Sequence, residues 1–160
     1  MNVENMNVEN MIDISESIDD YSYDSFMSAC FQSANKFSLS RARWTTSTCD
    51  ELECDLKKWL ITTIKTSKWF GYDYTIFSDD DANTEIEINI YEANNETKEI
   101  ILKYTNNIYL EKLINGEFDE CHQTLEDICF FRDTKLIVGT VSHERMVCML
   151  PINDALKEFI

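Results

Sequence analysis

Length and charge already restrict what this chain can do. It has 160 residues, of which 30 are acidic and 14 are lysine or arginine, so its formal net charge is −16. With 44% hydrophobic residues it is long and apolar enough to bury one core. Its strong negative charge repels nucleic acids and anionic membranes, so we expect direct binding to neither. No apolar run approaches a membrane span and no secretion signal is visible, which predicts a cytoplasmic location.

The N-terminus begins with the pentapeptide MNVEN twice in succession, at Met1–Asn5 and Met6–Asn10. Five residues are too few for a structural repeat unit, and the segment is polar. The first 35 residues hold seven acids and no lysine or arginine. We predict a loose acidic N-terminal segment over residues 1–19, followed by a single α+β domain over residues 20–160.

Helical spacing dominates the first part of this domain. It predicts a helix over 20–34, then a loop over 35–46 where polar residues break the period. Thr48, followed three residues later by Glu51, is typical of a helix start and predicts a second helix that runs to Ser67. The apolar stripes of the two helices are Phe26, Met27, Cys30 and Phe31, then Leu52, Leu56, Trp59, Leu60 and Ile64.

The apolar period then changes to alternate residues, which is typical of β-strands. Strands are predicted at 72–76, 86–91 and 98–105, joined by a turn at 79–83 and another at 94–95. Because these connections are short, we expect a three-stranded antiparallel meander.

The remaining chain is predicted to return to helix and then to strand. Residues 107–131 have helical spacing with an interruption at Gly116, and residues 136–150 form a hairpin whose loop is 142–145. Residues 154–160 form a last short helix. The complete order is αα-βββ-α-ββ-α: N-terminal helices, a three-stranded antiparallel meander, a helix, a C-terminal β-hairpin and a short helix. Adjacent strands without crossovers place the fold in the α+β class.

No set of residues has the spacing of a known metal or catalytic site. Cys49 and Cys54 are too far apart for the usual zinc pair, and the loop that begins at Asp79 lacks the glycine and the final glutamate of a calcium loop. Three glycines in the whole chain leave no phosphate-binding loop. Most of the six cysteines are interpreted as reduced core residues. We therefore expect no metal, no cofactor and no catalytic residues.

Acidic residues are concentrated between positions 71 and 100, where nine acids accompany one lysine. The outer face of the middle predicted strand and its two adjoining turns would form one continuous negative surface. Tyr91 shares this face with Glu85 and Glu87, so we expect it to be an exposed interface anchor. The predicted partner-binding residues are Asp79, Asp80, Asp81, Glu85, Glu87, Tyr91, Glu92 and Glu96.

A concentrated negative surface without a catalytic set suits a protein that blocks a basic partner. In composition the chain resembles small acidic bacterial immunity domains, and we predict an immunity protein or antitoxin that occludes a basic, nuclease-like toxin domain. One alternative is a phage or viral antagonist that imitates nucleic-acid charge and blocks a host defence nuclease. The others are an enzyme of unrecognised type using carboxylates with Cys148 or His143, and an assembly subunit that exposes Phe26, Met27 and Phe31.

Overall fold

The computed structural model describes residues 10–41, 50–74, 85–118 and 124–160. Within these ranges the helices are α1 (Tyr23–Ser33), α2 (Glu51–Leu56), α3 (Asn95–Tyr104) and α4 (Asp154–Lys157). The strands are β1 (Ile12–Asp13), β2 (Lys36–Arg41), β3 (Leu60–Thr66), β4 (Lys68–Trp69), β5 (Tyr72–Asp73), β6 (Ile86–Glu92), β7 (Leu113–Ile114), β8 (Glu117–Phe118), β9 (Leu125–Arg132), β10 (Lys135–Val141) and β11 (Met146–Met149). Short 3₁₀ turns cover Ile18–Asp20, Lys57–Trp59 and Ser142–Glu144.

Seven of the described strands form one antiparallel sheet in the order β1-β11-β10-β9-β2-β6-β3. The pairs β4–β5 and β7–β8 form two separate small hairpins. The α+β class fits this architecture. The predicted order αα-βββ-α-ββ-α is wrong, because strands from both ends of the chain share the same sheet instead of forming a local meander.

Both faces of the central strands of the large sheet are covered. On one face the helices pack over a core that contains Phe37, Tyr91 and Phe130. On the other face the β4–β5 hairpin places Trp69 and Phe70 in a second core with residues of β6, β9 and β10. Because the central strands are buried on both sides, their sequences do not alternate cleanly between apolar and charged residues.

The first helix and the C-terminal hairpin agree with the sequence predictions. The Ser22 hydroxyl accepts a hydrogen bond from the Ser25 N–H and so caps α1. β10 and β11 pair on either side of the predicted turn, which contains the 3₁₀ turn Ser142–Glu144. α4 begins after its Asn153 cap and ends at Lys157, earlier than predicted.

The loop predicted over 35–46 is wrong in its first half, where β2 lies in the middle of the sheet between β9 and β6. β2 alternates Phe37 and Leu39 with Ser38 and Ser40, and all four side chains are buried. The serines suggested a polar loop. In the fold, the small side chains of Ser38 and Ser40 are buried on the face of β2 opposite to Phe37 and Leu39, which is the face of the second core.

The helix predicted from Thr48 to Ser67 is wrong beyond its first turns. α2 begins after its Asp50 cap and ends at Leu56, and the chain enters β3 at Leu60. β3 has the sequence LITTIKT, in which isoleucine and threonine predominate. Because β-branched side chains favour strands, this preference overrides the helical spacing of the apolar residues.

The third strand predicted at 98–105 is instead part of helix α3. Asn94 accepts the Thr97 N–H through its side chain, and the Thr97 hydroxyl accepts the Asn94 N–H. The asparagine pair that suggested a hairpin turn is therefore part of a capping box. Thr97, Ile101 and Tyr104 are buried at helical spacing.

The helix predicted over 107–131 is wrong because its second half is β9, which carries a β-bulge. The bulge lies at Asp127, whose φ is +56° and where the register with β2 shifts. The extra residue places Leu125 and Ile128, three positions apart, in the same core. This spacing of three imitates one turn of a helix.

Candidate functional site

The structure separates the acidic residues that were predicted to form one surface. Asp79, Asp80 and Asp81 lie outside the described residues. Glu85 and Glu92 are exposed at opposite ends of β6. At about 3.3 Å per strand residue, they lie roughly 20 Å apart.

The other two predicted glutamates already have basic neighbours. Glu87 Oε2 lies 3.7 Å from Nε of Arg41, and Arg41 also pairs with Glu53 of α2. Glu96 Oε2 lies 3.9 Å from Nζ of Lys58. The contact with Arg41 reduces the negative charge that β6 presents to a partner, whereas the exposed Lys58–Glu96 pair is weak.

The predicted exposure of Tyr91 is wrong. Its side chain is 1% exposed, and its ring stacks on Phe37 with 5.3 Å between the ring centroids. Its hydroxyl accepts the side-chain N–H of Asn89, which is itself buried. The strand face that was expected to meet solvent is covered by the helices, so β6 presents no continuous acidic face.

The structure also restricts the alternatives. Phe26, Met27 and Phe31 are at most 6% exposed, which contradicts an assembly surface on these residues. Burial raises the pKa of the Cys148 thiol, which disfavours its nucleophilic thiolate form. In the described ranges no three His, Cys, Asp or Glu side chains are arranged to hold a metal ion. Cys49 and residues 79–83, whose spacing was compared with zinc and calcium sites, lie outside those ranges.

An acid-lined groove lies between α1 and the C-terminal segment that contains α4. Its lining includes the carboxylates of Asp24 and Glu158, polar Gln32, and apolar Ala29 and Phe159. Its volume is about 430 Å³. A groove of this size with both apolar and anionic lining is suited to the long apolar stem and cationic end of a lysine or arginine.

Three contacts hold the C-terminal segment against α1 and against Tyr21, which precedes this helix. The Phe159 ring lies 5.1 Å from the ring of Phe26 and 5.1 Å from that of Tyr21, in edge-to-face geometry. The Asn153 side chain donates a hydrogen bond of 2.9 Å to the Ser33 hydroxyl. These contacts at both ends of the segment fix the separation of the two walls of the groove.

Further carboxylates precede the groove along the chain. Between residues 10 and 35 the sequence has five acids and no lysine or arginine. All five are exposed, and in the described part of the chain no lysine or arginine nitrogen lies within 4.0 Å of them or of Glu158. They are Asp13, Glu16, Asp19, Asp20 and Asp24. The sequence shows this excess of acids, but the groove exists only because the C-terminal segment packs beside α1.

A buried aspartate organises a separate polar cluster on the hairpin side of the sheet. Asp127 is 1% exposed and accepts hydrogen bonds from the Tyr72 hydroxyl and, at 2.7 Å, from the Ser142 N–H. The Tyr72 oxygen lies 3.4 Å from Nδ1 of His143, whose side chain is 50% exposed. Asp127 therefore connects the β4–β5 hairpin to the bulge in β9 and to the turn after β10.

Glu126 beside this cluster has an unusual protonation equilibrium. Burial, followed by the charge of Asp127, raises its pKa to about 7. Burial and the hydrogen bond to Asp127 also raise the pKa of Tyr72. Such a carboxyl group exchanges protons near neutral pH. Sequence reasoning missed both acids, although two adjacent carboxylates within the apolar segment LEDICFF were an available signal.

Comparisons with protein-family models, with curated proteins and with solved structures find no match to this chain. None of the helices in the described ranges has the length and apolar character that crossing a membrane requires.

Proposed function

We propose that this protein is an acidic inhibitory binding protein that neutralises a basic protein partner by occluding its functional site. The observation that carries the proposal is the acid-lined groove between α1 and the C-terminal segment, together with exposed carboxylates that form no ion pair in the described residues. Within the proposal, the most suitable partner is a nuclease-like toxin domain, and the protein acts as its immunity protein or antitoxin. This proposal assigns no reaction to the chain.

Electrostatics support this proposal through both the rate and the geometry of association. Carboxylates that form no ion pair with a described lysine or arginine attract a basic surface over about 8 Å at physiological salt and raise the association rate. A lysine or arginine that enters the groove would place its apolar stem on Ala29 and Phe159 and its charge near Asp24 and Glu158. The carboxylates would thus give a preferred orientation as well as attraction.

A phage or viral antagonist of a host defence nuclease would use the same negative surface. The two candidates differ in genomic context, since a toxin gene beside this gene favours the first and a viral gene neighbourhood favours the second. We further propose a cytoplasmic location, which is supported by the free thiols of Cys30, Cys129 and Cys148.

The test compares two double variants that remove the same charge. D24N/E158Q alters the groove, whereas E85Q/E92Q alters the ends of β6. Each protein is immobilised and exposed to extract of the source cells, and bound proteins are eluted with increasing salt. We expect the wild type and E85Q/E92Q to retain a basic protein that D24N/E158Q releases at lower salt, with about tenfold weaker affinity.

The eluted protein is then assayed for nuclease activity with and without added wild-type chain. Suppression of that activity is the expected result. Retention that does not change with salt, or a bound protein whose activity is unaffected, would contradict inhibition. Loss of binding by E85Q/E92Q alone would move the contact from the groove to β6.

A further inference from the structure

β3 forms one edge of the large sheet, and most of its side chains are exposed to solvent. Among the described strands it pairs with β6 alone. Leu60 is 40% exposed and Ile61 is 52% exposed, and most of the other β3 side chains are exposed as well. Trp59, which the sequence placed in the core, is only half-buried just before β3. A long edge strand with exposed apolar side chains favours pairing with another chain.

The backbone of β3 is suited to such pairing. In an antiparallel sheet the N–H and C=O groups of an edge strand point alternately toward its neighbour and toward solvent. β3 has seven residues, contains no proline or glycine, and is rich in isoleucine and threonine. Its protections as an edge strand are one charged residue, Lys65, and one irregularity, the register shift with β6 between Leu60 and Thr62.

The chain segment that contains β3 is basic, although Glu87 on β6 stands opposite Lys65 and Asp73 on β5 stands opposite Lys68. From position 57 to position 72 the sequence contains four lysines and no acid, although the net charge of the protein is −16. The lysines are Lys57, Lys58, Lys65 and Lys68, and all four are exposed. Lys58 has a partner in Glu96, but both side chains are at least 67% exposed, so the contact is weak.

We propose that β3 accepts an extended acidic segment of a partner protein as an additional strand of the sheet. The backbone groups of β3 would supply the hydrogen bonds, Leu60 and Ile61 the apolar contact, and the lysines the preference for acidic residues. This surface and its occupant are independent of the groove and of the basic partner proposed above, because the groove is lined by α1 and the C-terminal segment and by no residue of β3.

A second copy of this chain is a poorer occupant. Antiparallel pairing of two β3 strands would bring the basic segments of both copies together, each with Lys57, Lys58, Lys65 and Lys68. Like charges brought this close destabilise the pairing. Two chains of charge −16 also repel each other over longer distances.

The test uses a defined probe, a fluorescently labelled peptide of seven residues in which glutamate and valine alternate. Its binding is measured by fluorescence anisotropy with the wild type, with I61E, and with I114E as the matched control. Ile114 is 53% exposed in β7, so the control makes the same change at an equally exposed isoleucine. We expect about tenfold weaker binding to I61E and less than about twofold change for I114E.

Two further measurements examine the mechanism. A peptide with lysine in place of glutamate should bind at least about tenfold more weakly than the acidic peptide. Hydrogen exchange should show that the acidic peptide protects alternate backbone amides of β3, as strand addition requires. Equal binding to I61E and wild type, or no protection in β3, would overturn the proposal. Self-association in sedimentation experiments that I61E abolishes would also overturn it, in favour of a second copy.

Discussion

A methyl group added at Gly139 should loosen the β4–β5 hairpin from the sheet. Gly139 lies in β10, and the Phe70 ring packs directly on its backbone. A Cβ atom built on Gly139 would lie 2.6 Å from two carbons of that ring and 2.9 Å from a third. Carbon atoms in contact lie about 3.5–4.0 Å apart, so the ring would have to retreat by about 1 Å. Phe70 and neighbouring Trp69 are both buried, which leaves little space for this movement.

The expected cost of G139A follows from the two ways in which the clash can be relieved. If the core adjusts around the ring, overpacking costs about 1–3 kcal/mol. If the Phe70 ring leaves its site, the lost burial costs about 1.5–3 kcal/mol. We therefore expect G139A to lower the free energy of unfolding by about 2–3 kcal/mol, a large fraction of the stability of an ordinary domain.

Urea unfolding measures this change, and Trp69 fluorescence in a W44F/W59F background reports on the hairpin. The decisive comparison is a double-mutant cycle with F70A. Once the ring is absent, G139A should cost nothing or stabilise the strand by about 0.5 kcal/mol. If G139A costs as much in the F70A background as in the wild type, the contact with Phe70 is not the cause. G116A is the control, because a Cβ at Gly116 would meet no atom within 4 Å, so the substitution strains only the backbone at φ +81°. We expect it to lower the free energy of unfolding by about 1 kcal/mol without changing Trp69 fluorescence.

Two further predictions concern the bulge in β9. Because the pKa of Glu126 is raised to about 7 from an ordinary value of 4.5, its contribution to stability is lost as pH rises between these values. E126Q should therefore stabilise the fold by about 1–2 kcal/mol at pH 8, allowing for solvent screening, and by almost nothing at pH 4. Urea unfolding at both pH values measures this, and an equal gain in the charge-matched variant E92Q would attribute the effect to net charge instead. At Asp127, both D127G and D127A should destabilise the fold by about 2–4 kcal/mol, because the Tyr72 hydroxyl and the Ser142 N–H lose their acceptor. D127A should cost about 1 kcal/mol more than D127G, since φ is +56° there, and equal costs in thermal unfolding would show that the left-handed backbone carries no strain.

Local signals predicted some elements of this fold correctly. α1 has a capping serine and a helical apolar stripe, and the C-terminal hairpin has two apolar segments on either side of a polar turn. In both cases the local preference and the tertiary packing favour the same structure. For β3 the two local signals disagree, because its apolar spacing is helical while its side chains are β-branched, and the second signal prevails.

The candidate site was less accessible from the sequence. The excess of acids before residue 35 is visible without a structure, but the groove requires Phe159 to pack against Phe26, which is more than 130 positions away in the chain. The prediction of a continuous acidic surface on β6 rested on the assumption that Tyr91 faces solvent. Burial of Tyr91 depends on Phe37 and on the helices above it, and no local pattern specifies these contacts.

By itself the sequence determined the net charge of −16, the α+β class, the first helix and the C-terminal hairpin, because composition and short-range capping and turn preferences suffice for these features. Within the described residues, the tertiary structure alone decided which strands share a sheet, which acids form no ion pair and which strand lies at an edge. These properties depend on contacts between distant residues, and a bulge such as that at Asp127 shifts the apolar period so that a strand resembles a helix.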